Sequence, residues 1–527
     1  MKSTTIPYEQ TGYFSQIIID YLNQHNTLQP FYHYPPELSS FEKAISDKSK
    51  EQIDRQALAD ILTKQYAGMQ PHENVAKNIR AFKDENTFCI VTAHQLNIFT
   101  GPLYVIYKSI TTINACIELK KQYPQYNFVP VFWLGTEDHD FEEINHVHLF
   151  GKTYTWTDHQ GGACGRYQPH SLQTLIDELK PVYGESEQAA FIYDTFSKAY
   201  ALDTLADAAR YYLDILFGDK GLVVIDADSV ELKKVCSGII EDELLRQTSI
   251  SLVEDTIARM AYPSQAQPRE VNLFYLKDRI RERIIKTEEG FEINNTDIRF
   301  SGDEILTELD EHPEYFSPNV ILRPLFQQKV LPSVAYVGGG GELAYWLQLK
   351  SLFDHFEVNF PVLLLRNSVL WIEENGYKKM QKLQLSQQDL FIQEDELIKK
   401  FISSKSGELI SLEKEKKEIA DILQAVMEKA ITIDSSLDKA VLAEKQNLLN
   451  ALDKMEAKLL KAEKTKSDTE VQHIKTLKQK LFPDAQLQER YDNFIPLYLK
   501  YGHTFFDTLY QYLQPFGNQF TIITPAE

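Results

Sequence analysis

Thirteen residues, Thr136–His148 (TEDHDFEEINHVH), hold Glu137, Asp138, His139, Asp140, Glu142, Glu143, Asn145, His146 and His148. They follow directly on an apolar run, Val129–Leu134 (VPVFWL). An apolar strand rarely ends in so many titratable groups without a use. Two chemistries compete for them. Asp138, His139, Asp140 and His146 are ligand types that hold a divalent metal, as in a metal-dependent hydrolase. Alternatively, His139 and its acidic neighbours hold a substrate amine, ribose hydroxyls or a proton in transfer. The pair His146 and His148 is not a zinc signature, because two ligands do not close a tetrahedral site. A solvated acidic turn is the plain structural alternative.

Three further segments could handle an anion. In His94–Tyr104 (HQLNIFTGPLY), Thr100 and Gly101 precede a helix whose free N–H groups would attract phosphate or carboxylate. His94 and Gln95 stand at the end of the preceding strand, and an ordinary helix cap is the competing reading. Gly338, Gly339, Gly340 and Gly341, followed by Glu342, could form a backbone cradle or only a turn. This run is neither a Walker loop nor a dinucleotide fingerprint. Arg366-Asn367-Ser368 ends another apolar run, and Arg323 lies in ILRPLFQQ; either arginine can grip phosphate through two N–H groups or serve in an ordinary ion pair. His94, Asp138, His139 and Asp140 are therefore the catalytic candidates. Gln95, Thr100, Gly101, Glu137, Asn145, Arg323, the four glycines, Glu342, Arg366 and Ser368 are candidates for holding substrate or nucleotide.

These segments need a parallel sheet to bring them together, since ligands in such sheets bind beyond the carboxyl ends of the strands. Phe88–Ala93, Val129–Leu134, Leu222–Asp226, Ser333–Val337 and Phe360–Leu365 read as short buried strands. Between the first two, Leu103, Ile106, Tyr107, Ile110, Ile113 and Ile117 recur at helical spacing, with Pro102 in the first turn. Glu342–Phe356 reads as one helix. The expectation is an α/β Rossmann-like core over 1–375, with mostly helical insertions at about 151–220 and 227–330.

From about Gly376 the composition turns to Lys, Glu, Gln and Leu. Ile419, Ile422, Val426, Ala430, Ile433 and Leu437 keep three- and four-residue steps, as do Leu448, Leu452, Met455, Leu459 and Ala462. Two heptad-patterned helices with a break near Thr432–Leu437 predict an antiparallel coiled-coil arm over 376–485, whose seams are satisfied within one chain or by a second copy. The aromatic tail, 486–527, is expected to pack back on the core. Arg490 and Tyr491, at the base of the arm, are placed to line a second small-ligand pocket.

The 527 residues correspond to about three to four domain-sized units. The formal charge of −21 argues against a general nucleic-acid binder, though a local basic pocket can sit in an acidic protein. Cys89, Cys116, Cys164 and Cys236 lack metal or redox spacing and read as reduced, buried residues of a cytoplasmic protein. The N-terminus lacks a signal-peptide pattern, and no apolar run is long enough to span a membrane.

The stretches HQLNIFTGPLYVIYKSITTI (94–113), PVFWLGTEDHDFEEINHV (130–147), FSPNVILRPLFQQKVLPSVAYVGGGGELAYWLQLK (316–350) and LFPDAQLQERYDNFIPLYLKYG (481–502) resemble the BshC family, the proposed cysteine ligases of bacillithiol biosynthesis. The resemblance spans nearly the whole chain. It implies a nucleotidyltransferase-like Rossmann core with connecting insertions, a coiled-coil domain and a homodimer formed through it. It further implies condensation of L-cysteine with glucosaminyl-malate (GlcN-Mal), driven by ATP with Mg2+, with small-molecule partners and neither nucleic acid nor membrane. The family is similar to class I aminoacyl-tRNA synthetases. Where their HIGH motif would stand, this chain has Thr100-Gly101-Pro102. Arg366-Asn367-Ser368 is nearest to KMSKS and lacks the paired lysines. A related ligase of mycothiol synthesis selects cysteine with zinc; the four cysteines here do not show that spacing, and no structural metal is expected. A non-catalytic scaffold or sensor that binds a nucleotide or sugar-malate on a degenerate fold is the rival reading.

Overall fold

The computed structural model describes residues 1–406 and 411–526, so positions 407–410 of the arm and residue 527 of the tail lie outside the described residues. Five parallel strands form the central sheet. Their spatial order is Val362–Leu365, Ser333–Gly338, Thr87–His94, Asn127–Leu134 and Val223–Asp226. Counted along the chain, this is the order 3-2-1-4-5, the doubly wound Rossmann order 3-2-1-4-5-6 without its sixth strand. The order reverses between Thr87–His94 and Ser333–Gly338, so the connections that leave their carboxyl ends run apart and leave a crevice there. The strands are apolar on both faces because helices cover both sides. Helix Leu103–Gln122 shares one core with Phe88, Ile90, Val334, Val337, Val362 and Leu364 through Ala115, Cys116 and Leu119. It is buried on more than one side; of its periodic residues only Ile117 is exposed.

The first insertion is helical, with helices Leu172–Tyr183, Glu187–Ala199 and Leu205–Phe217. The second adds a sheet to its helices Ser237–Arg246, Thr248–Arg259 and Gly302–Glu311. It carries a five-stranded sheet in the order Arg299–Phe300, Gly290–Ile293, Ile280–Thr287, Leu273–Lys277 and Phe316–Pro318, with every pair antiparallel. Two tight turns, around Asp278 and Glu288–Gly290, join the three longest strands, and Asp278 takes a positive φ of 50°. The predicted helix Glu342–Phe356 is likewise two helices, Gly340–Leu347 and Lys350–His355. At the break, the buried Gln348 amide accepts from the N–H groups of Gln265 and Ala266 and donates to Ser264 Oγ and the Ala266 carbonyl. The helix gives up its continuity to tie down the 262–269 loop.

The chain divides into two compact units. The sheet unit, Ser3–Leu370 with Gln488–Thr521, includes helices Gln488–Tyr491, Ile495–Tyr501 and His503–Tyr512. In the other unit, Leu383, Leu397, Ile398, Ile402, Val471 and Ile474 build a small core. Helices Glu413–Ile433 and Asp438–Lys466 pair with each other there, and the turn at Ser435–Leu437 falls where the heptads break. The pair bears no fully buried residue. No helix among the described residues is long and apolar enough to cross a membrane.

One buried polar cluster fixes the antiparallel sheet. Asn272 donates from its backbone and side-chain nitrogens to Glu243 Oε1, and from its side chain to Ser249 Oγ and the Arg269 carbonyl; Asn319 donates to its Oδ1. Asn272→Ala removes the side-chain donor to a buried carboxylate and to Ser249 and the acceptor of Asn319, while the backbone N–H stays, and is expected to cost roughly 2–4 kcal/mol. Denaturant unfolding measures this, and hydrogen exchange should show the loss first in Leu273–Lys277.

Candidate functional site

A cavity of about 450 Å³ opens at the carboxyl ends of the parallel strands, at the point where their order reverses. One wall carries Ala93, His94, Gln95, Tyr104 and Lys108. The floor carries Trp133, Leu134, Gly135, Glu137, Asp138 and Ala227. The opposite wall carries Gly339, Gly341, Glu342, Tyr345, Arg323 and Arg366, and Arg281, Pro318, Asn319, Val320 and Arg490 complete the rim.

Of the sequence candidates, His94, Gln95, Glu137, Asp138, Arg323, Gly339, Gly341, Glu342, Arg366 and Arg490 line this cavity. His139, Asp140, Thr100, Gly101, Asn145, Gly338, Gly340, Ser368 and Tyr491 do not. Arg490 and Tyr491 face different surroundings: Tyr491 stacks on His148 at 4.0 Å with planes 6° apart. Among the described residues no three of His, Cys, Asp and Glu are grouped so as to hold a metal ion. Asp138, His139, Asp140 and His146 are thus not arranged as a metal centre.

The acidic block is organised by its own backbone. Asp138 Oδ1 accepts from the N–H groups of His139 (2.8 Å) and Asp140 (3.3 Å), and Oδ2 accepts from Gln95 Nε2 (2.7 Å). Burial pushes the Asp138 carboxyl up, but Arg281 and these hydrogen bonds outweigh it and hold the group below its ordinary value. Arg281 comes from the antiparallel sheet. It lies over the Phe274 ring at 4.0 Å, donates to His139 Nδ1 at 2.7 Å and stands 3.8 Å from Asp138. An arginine only donates, so His139 carries its proton on Nε2 in this arrangement. Burial and Arg281 both push its imidazolium form down. Glu137 is ion-paired with Lys233, which also donates to the Phe316 carbonyl at 2.8 Å. Burial raises Glu137 in spite of that pair.

On the opposite wall Glu342 reaches back to its own helix start. It accepts from the Gly339 N–H (2.7 Å) and Tyr336 Oη (2.8 Å) and pairs with Lys108 (2.6 Å). Burial opposes its ionisation, yet Lys108 and the Gly339 N–H bring the carboxyl down to about 2. The glycine cradle therefore already spends its first N–H on Glu342. The helix start at Leu103 is also occupied, since its N–H donates to the Asp492 carbonyl at 2.8 Å. His94 accepts or shares a proton with Tyr104 Oη at 3.1 Å. Burial, helped by Lys108 and Arg366, pushes it down to about 3, so it is a neutral imidazole at physiological pH. Arg366 pairs with buried Glu489 at 2.7 Å, donates to Ser368 Oγ and sits over Tyr104.

Lys108, Tyr104, Trp133, Tyr345 and Arg281 are the lining residues that motif reading passes over. Lys108 leaves a signal, as the one charged residue in the middle of an otherwise uncharged run, LYVIYKSITTINAC. Arg281 leaves none, because it stands in a run of three charged residues, Arg281-Glu282-Arg283, that shows no strand alternation (IRERIIKT).

Behind the floor, Asp226 accepts from Thr136 Oγ1 and from the Asp228 N–H. Burial and the neighbouring Asp228 raise it to about 6, against opposition from Arg210. A carboxyl raised above its unfolded value of about 3.9 binds its proton more tightly in the native state. Native stability from this group is full at low pH and is lost as pH rises from about 4 to 6. Asp226→Asn keeps both acceptor bonds and removes that loss. The melting temperature of the variant relative to the wild type should therefore climb between pH 4.5 and pH 7.5; a difference that is flat or falls over that range contradicts the assignment.

Two family models match the chain. One is described as Bacillithiol biosynthesis BshC, N-terminal Rossmann-like domain, over residues 1–367, and the other as Bacillithiol biosynthesis BshC, C-terminal coiled-coil domain, over residues 369–525. A protein of Flavobacterium johnsoniae is 43% identical over 99% of this chain and 100% of its own length. One of Flavobacterium psychrophilum is 43% identical over 100% of both chains, and one of Christiangramia forsetii is 41% identical over 99% of each. All three bear the name "Putative cysteine ligase BshC". With a Rossmann sheet, a paired-helix domain and full-length relatives in agreement, the chain belongs to the BshC family.

Proposed function

We propose that this chain joins L-cysteine to GlcN-Mal in the last step of bacillithiol biosynthesis, in the cytoplasm and at the expense of ATP with Mg2+. The name carried by its relatives supports the reaction class. The observation that carries the reading is the charge balance of the cavity. Lys108 is matched by Glu342, Arg366 by Glu489, Glu137 by Lys233, and Asp138 faces Arg281 at 3.8 Å. His94 is neutral. Arg323 hydrogen-bonds to neutral partners, Gln327 and Tyr345, and shares the field of Glu342 with Lys108, and Arg490 is exposed at the rim. In a chain of net charge −21, two cations that face one cavity with no ion pair of their own among the described residues suit an anionic substrate.

The cavity carries both kinds of group. Gln95, Glu137 and Asp138 suit an amine, and Arg323 and Arg490 suit phosphate or carboxylate. Amide formation needs both: a carboxylate activated where cations stabilise the charge that builds on it, and an amine held beside it. Carboxylates already paired, and a histidine that does not titrate near neutrality, leave positioning and electrostatic stabilisation as the protein's contribution.

The direct test supplies purified protein with cysteine, GlcN-Mal and ATP–Mg and looks for bacillithiol by mass spectrometry. Cysteine-dependent exchange between ATP and pyrophosphate is expected if activation runs through an adenylate, and it would eliminate the scaffold reading. Arg323→Met should lower kcat/KM on the order of a hundredfold. Verified substrates and folded protein without product would overturn the reading.

The homodimer is proposed to form through the arm. Within the chain, the helix pair half-covers Ile419, Leu423, Met427, Leu449 and Leu452. A second row stays exposed: Ile422, Val426, Ile433, Leu448, Met455 and Leu459. Light scattering should give twice the chain mass for the whole protein and the single-chain mass for a variant lacking 413–466. A dimer retained without those residues would move the interface elsewhere.

A further inference from the structure

Lys108 is the one charged residue among the buried positions of helix Leu103–Gln122. It lies four residues after Tyr104, so the two side chains leave the helix on one face, and both line the cavity. Its side chain is 2% exposed. An ammonium at that depth is strongly unfavourable unless paired. It has two acceptors, Glu342 Oε2 at 2.6 Å and the Ala93 carbonyl at 2.8 Å. An ammonium carries three N–H donors. The third meets no oxygen or nitrogen acceptor among the described residues; the Tyr104 ring is 6.0 Å away at its centroid.

Two other buried lysines provide a comparison. Lys48 is held by Glu51 and the Gln328 carbonyl, and Lys233 by Glu137 and the Phe316 carbonyl. Each has the same cradle of one carboxylate and one carbonyl, yet neither lines this cavity. Lys108 alone of the three has the cavity in front of it. The local charge also calls for an anion. Burial lowers the Lys108 ammonium, and Arg366 and Arg323 press it further in the same direction. Glu342 is the one carboxylate within reach, and it already accepts from Gly339 and Tyr336.

We propose that Lys108 is a ligand-contacting catalytic residue, whose third N–H donates to an anionic oxygen, phosphate or carboxylate, of the molecule that fills the cavity. Only the naming of that molecule rests on the ligase reading. There, the oxygen is one that gains charge as the cysteine carboxylate is activated, and a fixed donor aimed at it lowers the barrier without reorganising.

Calorimetry on the full chain with inorganic phosphate, ADP and L-malate tests the contact. The double variant Lys108→Met with Glu342→Gln removes one positive and one negative charge, so the net charge of the cavity is unchanged. The amide oxygen that E342Q introduces still accepts from the Gly339 N–H. Affinity for at least one probe should fall tenfold or more from wild type, and further than in E342Q alone, which keeps the lysine. Loss for phosphate and ADP assigns the contact to a phosphoryl oxygen; loss for L-malate assigns it to a carboxylate. Double-variant affinities within twofold of wild type for all three probes, with the thermal transition retained, overturn the proposal, as does a wild type that binds none of them. Should the double variant not fold, the wild type is treated with pyridoxal 5′-phosphate and borohydride and its peptides are mapped. Labelling of Lys108 that phosphate or L-malate suppresses supports the contact; a map without Lys108 overturns it. Binding needs no turnover, so a failed ligase assay with the affinity changes intact removes the ligase reading and leaves Lys108 in place.

Discussion

The sheet unit depends on one short stretch of chain, Gln488–Asn493, laid across the ends of the strands. Glu489 enters a buried pair with Arg366 and also accepts from the Val369 N–H at 2.9 Å. The Asp492 carbonyl takes the Leu103 N–H, and Asn493 donates to the carbonyls of Phe99 (2.8 Å) and Gly101 (2.6 Å). Phe99 and Thr100 both take positive φ values, 52° and 69°, which costs energy for residues with a Cβ. That strain is held because both flanks of the loop are fixed from outside. Gly101, at φ 69° and ψ −148°, takes a conformation open to glycine alone, and a Cβ there would meet Asn97 at 2.6 Å. Without the 488–493 stretch, Arg366 would be a buried charge with no partner and the 97–102 loop would lose two of its anchors.

Pairing within the protein explains why so many charges can crowd one cavity. Lys108, Glu137, Asp138 and Arg366 each face an opposite charge within the sheet unit, so each holds its place before any ligand arrives. The same pairing removes several obvious acid–base candidates. Glu342 and Asp138 sit below the ordinary carboxylate range, and His94 is neutral far into the acid range. These groups shape a field and accept or donate hydrogen bonds. Such a site is preorganised: its dipoles and charges need not turn when charge develops on the substrate.

The parallel sheet was legible because its five strands are short continuous apolar runs, and a strand buried on both faces has little choice but to read that way. The arm was legible because a heptad is a strict repeat. The antiparallel sheet was hidden by the opposite property. Ile280–Thr287 (IRERIIKT) has no clean alternation, since three charged residues stand together and two isoleucines follow them over a half-buried surface, and its turn residues, Asp278 and Glu288–Gly290, are scattered among charges that also suit helices. Site residues divided on similar lines. Residues at strand ends, such as His94, Glu137 and Asp138, could be placed by the rule for open sheets. Thr100 and Gly101 shared that segment but lie buried away from the cavity, with Gly101 packed against Asn97 and its carbonyl bonded by Asn493. Lys108 and Arg281 reach the cavity from the middle of a helix and from a distant sheet, positions that only three-dimensional packing selects.

Arg281 also shows what the second insertion adds to a Rossmann core. The parallel strands supply the floor and two walls, and their loops bring mainly carboxylates. The antiparallel strands bring a cation to the acidic end, already stacked on Phe274 and bonded to His139. Without it, Asp138 would keep its hydrogen bonds from Gln95 and the backbone but lose its counter-charge, and burial would then act unopposed by any nearby cation to push its carboxyl up. Asn272 opens the first strand of that sheet and fastens it to Glu243 and Ser249 on the helices before it. The ionisation of a carboxylate at the end of a parallel strand is thus set by how firmly a separate sheet is moored, which couples the packing of the insertion to the electrostatics of the cavity.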